Sequence, residues 1–174
     1  MACGERLTDG FCDDCEMGGV RQFCVGWREG ALKQLINVYK FQAVRAAGGV
    51  LSDLAGIRLG AYRGLVVPLP TIRRHIRERG FDHTRMIARG LALPCVRVLR
   101  RARNTVQVGT DAETRKRQAE CAYAIKGQIS PEQEYLLLDD IWTTGSSMKA
   151  AVALMQKTGA KRLAVLVMAR NVSD

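Results

Sequence analysis

The stretch from Tyr135 to Ser147 limits what this chain can fold into more than any other part of it. It reads Tyr135-Leu136-Leu137-Leu138, then Asp139-Asp140-Ile141-Trp142, then Thr143-Thr144-Gly145-Ser146-Ser147. An apolar run without polar alternation reads as a strand covered on both faces, the pattern of a parallel sheet between layers of helices. Beyond the turn, Met148, Ala151, Val152 and Met155 share one helical face, and Gly159 is placed to end the helix. A strand, a hydroxyl-rich turn containing glycine, and a helix N-terminus favour an anion at the turn, because N–H groups and hydroxyls converge there. Open α/β sheets place ligands at the carboxyl ends of such strands. Carboxylates would repel that anion, so Asp139 and Asp140 suit hydroxyls or a magnesium ion beside it. That describes a sugar phosphate better than a free phosphate.

The same stretch resembles the motif with which type I phosphoribosyltransferases bind phosphoribosyl pyrophosphate (PRPP), and the match runs through the twelve positions from Leu136 to Ser147. The resemblance implies an α/β fold of the type I phosphoribosyltransferase kind, a mostly parallel sheet flanked by helices. It implies that Asp139 and Asp140 are the catalytic acids that grip the ribose 2′- and 3′-hydroxyls. Thr143, Thr144, Gly145, Ser146 and Ser147 would then wrap the 5′-phosphate.

A chain of 174 residues is long enough for one α/β core with a small appendage. Its 47% hydrophobic and 25% charged residues are those of a soluble globular protein. Apolar runs are broken by charge well short of the ~20 residues a membrane span needs. The N-terminus also lacks a signal-peptide core. A cytoplasmic protein without membrane insertion is therefore expected. The formal charge of +10 should attract phosphorylated ligands or polyanions. The excess gathers in three clusters, Arg73/Arg74/Arg77/Arg79, Arg97/Arg100/Arg101/Arg103 and Arg115/Lys116/Arg117. Such clusters are either a solvated surface or phosphate contacts.

Residues 1–24 form a cysteine-rich segment without apolar periodicity, and residues 25–174 the main domain. Cys12 and Cys15 are a C-x₂-C pair, a spacing that lets two thiolates reach one Zn²⁺, with Cys3 as a third ligand. The segment thus reads as a small zinc-ribbon-like stub. The fourth ligand is either Cys24 or a residue ahead of residue 1 in a longer natural form, and the second is favoured because Gln22-Phe23-Cys24-Val25 reads more like the start of a strand. Spare reduced thiols and a disulfide are the alternatives, the latter rare in the cytosol. Cys95 and Cys121 read as packed thiols.

Leu32, Leu35, Ile36 and Tyr39 mark a helix over 29–39, and Val44, Leu51, Leu54 and Ile57 a second over 44–59. Lys40 between them reads as a surface lysine or a phosphate contact. Gly64 to Pro70 is a short buried strand cut off by proline. After it, residues 71–80 form an arginine-rich turn, and Asp82 is placed to cap a helix running to about Leu91. Residues 94–99 read as another strand and 100–118 as a long polar connection, a candidate lid.

Val67-Pro68-Leu69-Pro70, the arginine-rich turn and Arg79-Gly80-Phe81 resemble the ComF competence-protein family, a branch of the phosphoribosyltransferase superfamily. That family carries Asn and Gln where this chain has Asp82 and His83. The resemblance continues through Gln107, Arg115-Lys116-Arg117, Gln118 and Tyr123, with Gln118 in place of an Asn. It implies that Pro68, Leu69, Arg79 and Gly80, with Arg115 and Arg117 of the lid, hold the pyrophosphate. Magnesium would bridge that pyrophosphate and the ribose hydroxyls, and Asp140 would stabilise positive charge at ribose C1. His83 reads as a helix-surface histidine or a proton shuttle. The family's association with natural transformation implies single-stranded DNA and DNA-uptake proteins as alternative partners. For stacked bases, Phe81, Tyr123 and Trp142 are the candidates, each equally readable as a core residue.

Overall fold

The computed structural model describes residues 17, 19–102 and 122–171. Cys3, Cys12, Cys15, Cys121 and the 103–118 part of the proposed lid, with Gln107, Arg115, Arg117 and Gln118, lie outside the described residues. Four strands form one parallel sheet in the order β1 (Arg21–Trp27), β6 (Arg162–Arg170), β5 (Glu134–Trp142), β2 (Leu65–Pro68). The expected mostly parallel sheet is therefore present, with its carboxyl ends along one edge. A two-stranded antiparallel pair, β3 (Leu99–Arg101) and β4 (Tyr123–Ile125), stands beside it.

Leu136, Leu137 and Leu138 are each fully buried, as a strand covered on both faces requires. Leu136 and Leu138 pack with Ile36, Tyr39, Leu51 and Ile87 from helices α1 (Gly30–Phe41), α2 (Ala46–Leu59) and α4 (His83–Gly90). On the other face Tyr135 and Leu137 pack with Met148, Val152 and Met155 of helix α5 (Ser146–Lys157) and with Leu99 and Tyr123. The result is a three-layer α/β/α unit. Burying one such side chain contributes roughly 1.5–3 kcal/mol, so the middle of β5 is among its most stabilising segments.

Several sequence expectations shift. The 71–80 turn contains a short helix, α3 (Arg73–Arg79), closed by Gly80 in the left-handed region at φ 75°. Residues 94–99 make only a single parallel bridge, Cys95 to Val66, before β3 begins at Leu99. Proline 94 lacks an N–H for a ladder and lends only its carbonyl, which accepts from Val66 N at 2.8 Å. The second helix starts at Ala46 rather than Val44 and carries Gly48, where a Cβ would sit 2.8 Å from the Tyr39 ring. That glycine lets α1 and α2 approach closely. Strand β1 straddles the 24/25 boundary drawn between stub and domain, since Arg21 to Cys24 pair with β6.

Candidate functional site

Strand β5 carries Asp139 and Asp140 to the carboxyl edge of the sheet, and the chain then turns through Thr143–Gly145 into α5. Gly145 holds φ 71°, and its missing side chain admits the Trp142 ring: a Cβ there would stand 2.6 Å from Trp142 Cε2. Thr143, Thr144, Ser146 and Ser147 are exposed. Thr144 Oγ1 and Ser146 Oγ are hydrogen bonded at 2.7 Å. The N-cap Gly145 has no side chain to bond the first turn of α5, where Ser146 N donates to Thr144 Oγ1 at 3.4 Å and the N–H groups that follow are left for a ligand or solvent. A hollow of about 50 Å³ lies here, lined by Asp139, Trp142, the 143–147 turn and Val167.

Trp142 is the floor of that turn. It is 3% exposed, with Lys149 Nζ 5.9 Å and the Arg170 guanidinium 5.8 Å from its ring. It is a packing residue, not a face presented to a base. Phe81 and Tyr123 are likewise buried.

The strand β2 runs beside β5, with Pro68 opposite Leu138 and Leu69 N donating to Leu138 O at 2.8 Å. The segment after it therefore starts next to the acid pair. Asp82 caps α4 as expected, its Oδ1 accepting from Arg85 N at 3.3 Å and from the hydroxyls of Thr71 and Thr84 at 3.0 Å each. This cap places His83 as the first residue of the helix.

The two basic residues read as surface groups are not. His83 is 6% exposed and its Nε2 lies 2.9 Å from Asp140 Oδ2. Lys40, whose side chain is 20% exposed, reaches the same oxygen at 2.6 Å. The last turn of α1 and the first of α4 both abut the end of β5, which sequence periodicity has no means of signalling. Arg79 NH1 lies 3.1 Å from His83 Nδ1, joining the loop arginine to the network. Arg79 and His83 are four residues apart across Gly80, a spacing that is legible only after the helix break is known.

Asp140, 6% exposed, is therefore turned toward Lys40 and His83, and of the two acids it is Asp139 that borders the hollow. Burial alone would raise the Asp140 carboxyl, but the hydrogen bond from His83 and the charge and hydrogen bond of Lys40 outweigh it and hold the group well below the usual range. Burial, then the neighbouring Asp140 charge, push Asp139 upward. His83, Asp139 and Asp140 offer ligand atoms within 4.8 Å of one another, a donor set a cation would accept. Yet Lys40 already neutralises Asp140, and Arg79 NH1 stands against His83 Nδ1. The oxygen donor open to a hard cation is thus the Asp139 carboxylate.

Of the cysteines within the described residues, Cys24 lies buried in β1, its thiol donating to Gly26 O at 3.2 Å, and burial pushes it up, away from the thiolate form. Cys95 is half-buried.

The layered parallel sheet with this turn has the fold of the type I phosphoribosyltransferases. Adenine phosphoribosyltransferase from Leishmania tarentolae superposes with a TM-score of 0.51 over 84% of this chain and 91% of that one, at 13% identity. An enzyme described as the allosteric regulatory enzyme of purine biosynthesis gives 0.53 over 87% of this chain, at 13% identity, but this chain spans 31% of its length. In sequence, the chain is similar to the competence protein ComFC of Bacillus subtilis (strain 168), 28% identical over 97% of this chain and 76% of that protein. The ComF resemblance read from the motifs thus extends along nearly the whole chain. No family model matches it.

Proposed function

We propose that this protein is a ComF-type, phosphoribosyltransferase-like protein that binds PRPP with Mg²⁺ and transfers the phosphoribosyl group to an acceptor. The observation that carries this reading is the hollow between Asp139 and the N-terminus of α5. Exposed hydroxyls of Thr143, Thr144, Ser146 and Ser147 and the first-turn N–H groups would take the 5′-phosphate. Asp139 would hold a ribose hydroxyl at the rim. Arg79, beside the start of α4, would meet the pyrophosphate. Bound Mg²⁺ would neutralise charge on the pyrophosphate, with the Asp139 carboxylate the protein oxygen nearest to hand. The chain's own contribution is positioning and electrostatics: a fixed ribose, and cations where the leaving group gathers charge.

The test is thermal unfolding with PRPP and Mg²⁺. At a hundred-fold excess over Kd the ligand should raise the midpoint by roughly 5–10 °C. Asp139→Asn should abolish most of the shift, and an equal shift in that variant would remove the site. Pyrophosphate release with a panel of bases then identifies the acceptor. A single-stranded DNA role in uptake is the second reading, favoured by the exposed Arg73, Arg74 and Arg77 on α3. Against it, a single-strand groove needs aromatic faces for the bases, and Phe81, Tyr123 and Trp142 are 7%, 6% and 3% exposed.

A further inference from the structure

We infer that His83 is a positioning residue that joins the two halves of the site, a neutral imidazole holding Asp140 with one nitrogen and Arg79 with the other. The inference rests on the phosphoribosyl reading for the roles of the two groups it joins. A guanidinium can only donate, so the His83 Nδ1 that stands 3.1 Å from Arg79 NH1 must present its lone pair. The single proton of the neutral ring is then on Nε2, 2.9 Å from Asp140 Oδ2, where a carboxylate can only accept. Thr71 Oγ1 is 3.4 Å from Nδ1 but 3.0 Å from Asp82 Oδ1, so its proton has the shorter path to the carboxylate.

The ring is held from both sides of its own backbone. Asp82 caps the helix on which His83 is the first residue. Tyr39 Oη donates to the His83 carbonyl at 2.7 Å, tying it to α1. Lys40, one residue further along α1, shares Asp140 Oδ2 with the imidazole. The ring is 6% exposed, so swivelling it would cost buried partners on both nitrogens. The Arg79 guanidinium is therefore oriented by an imidazole that is itself oriented by Asp140. A change at Asp140, near the end of β5, is felt through the imidazole at the arginine assigned to the leaving pyrophosphate.

Two measurements on the full chain test this. Long-range ¹H–¹⁵N correlation of the imidazoles, with His75→Gln removing the other histidine signal, should find His83 protonated at Nε2 and bare at Nδ1. Arg79→Met should shift the Nδ1 resonance. A ring protonated at Nδ1, or at both nitrogens, would overturn the bridge. Calorimetric titration with PRPP and Mg²⁺ is the second arm. His83→Leu should bind roughly ten-fold or more weakly. His83→Gln, whose amide can both donate to Asp140 and accept from Arg79, should recover most of that loss. If His83→Gln binds as weakly as His83→Leu, or both bind like the unaltered protein, the coupling is refuted. If the unaltered protein binds no PRPP, the phosphoribosyl reading falls and the ¹⁵N result decides the bridge by itself.

Discussion

Gly145 satisfies two demands that no other residue meets together. Its φ of 71° costs a residue with a Cβ about 1–2 kcal/mol, and the space a Cβ would need is filled by the Trp142 ring. Gly145→Ala should therefore lower stability by about 2 kcal/mol or more and remove the PRPP-dependent thermal shift. Urea unfolding of the variant measures the first effect. Unchanged stability would mean that Trp142 does not pack beneath the turn. At this scale the turn itself was readable, because Asp-Asp and Thr-Thr-Gly-Ser stand consecutively in the chain. His83 and Lys40 were not, since their common partner lies 57 and 100 positions away in sequence. A lysine at the end of an amphipathic helix looks the same whether it meets water or a buried carboxylate.

The helices were legible where apolar residues recur every three or four positions, and the Asp82 cap was legible from its residue type. What did not show was how closely they pack. Ser52 Oγ lies 2.8 Å from Gly48 O and 3.1 Å from Ile87 O, so its one proton is shared between its own helix α2 and the neighbouring α4. Gly90, at the end of α4, leaves room for this: a Cβ there would fall 2.6 Å from Ser52 Cβ. Gly90→Ala should push the two helices apart and cost about 1–3 kcal/mol, read as a lower urea midpoint with an unchanged slope. A midpoint equal to that of the unaltered protein would show that the two helices have slack at this contact. The arginine-rich segment after β2 illustrates the converse, a run read as a turn that contains the helix α3. Four arginines conceal its two-turn periodicity, because charged residues carry no hydrophobic pattern.

In the molecule as a whole, α1, α4 and β5 meet at one carboxylate, so the protonation of Asp140 should govern how well that layer holds together. Its folded-state pKa is depressed, so the stability it contributes is full above the ordinary aspartate value near 3.9 and is lost as pH falls through the folded value. Asp139 acts in the opposite sense. Its raised value means that stability declines as pH climbs from the ordinary range toward the folded pKa. Denaturant unfolding followed from about pH 1 to 8 should show Asp140→Asn flattening the acid limb and Asp139→Asn flattening the decline above it. If the two limbs survive both substitutions, other groups set the profile. By itself the sequence determined the parallel sheet, the order of strand, acids, turn and helix, and the family they resemble. All of these follow from local periodicity and contiguous residue types. Only the tertiary structure decided that Asp140 is held by Lys40 and His83 while Asp139 borders the hollow. Those contacts join α1, α4 and β5 across long stretches of chain, and pairing at such separation depends on how layers pack, which no local pattern encodes.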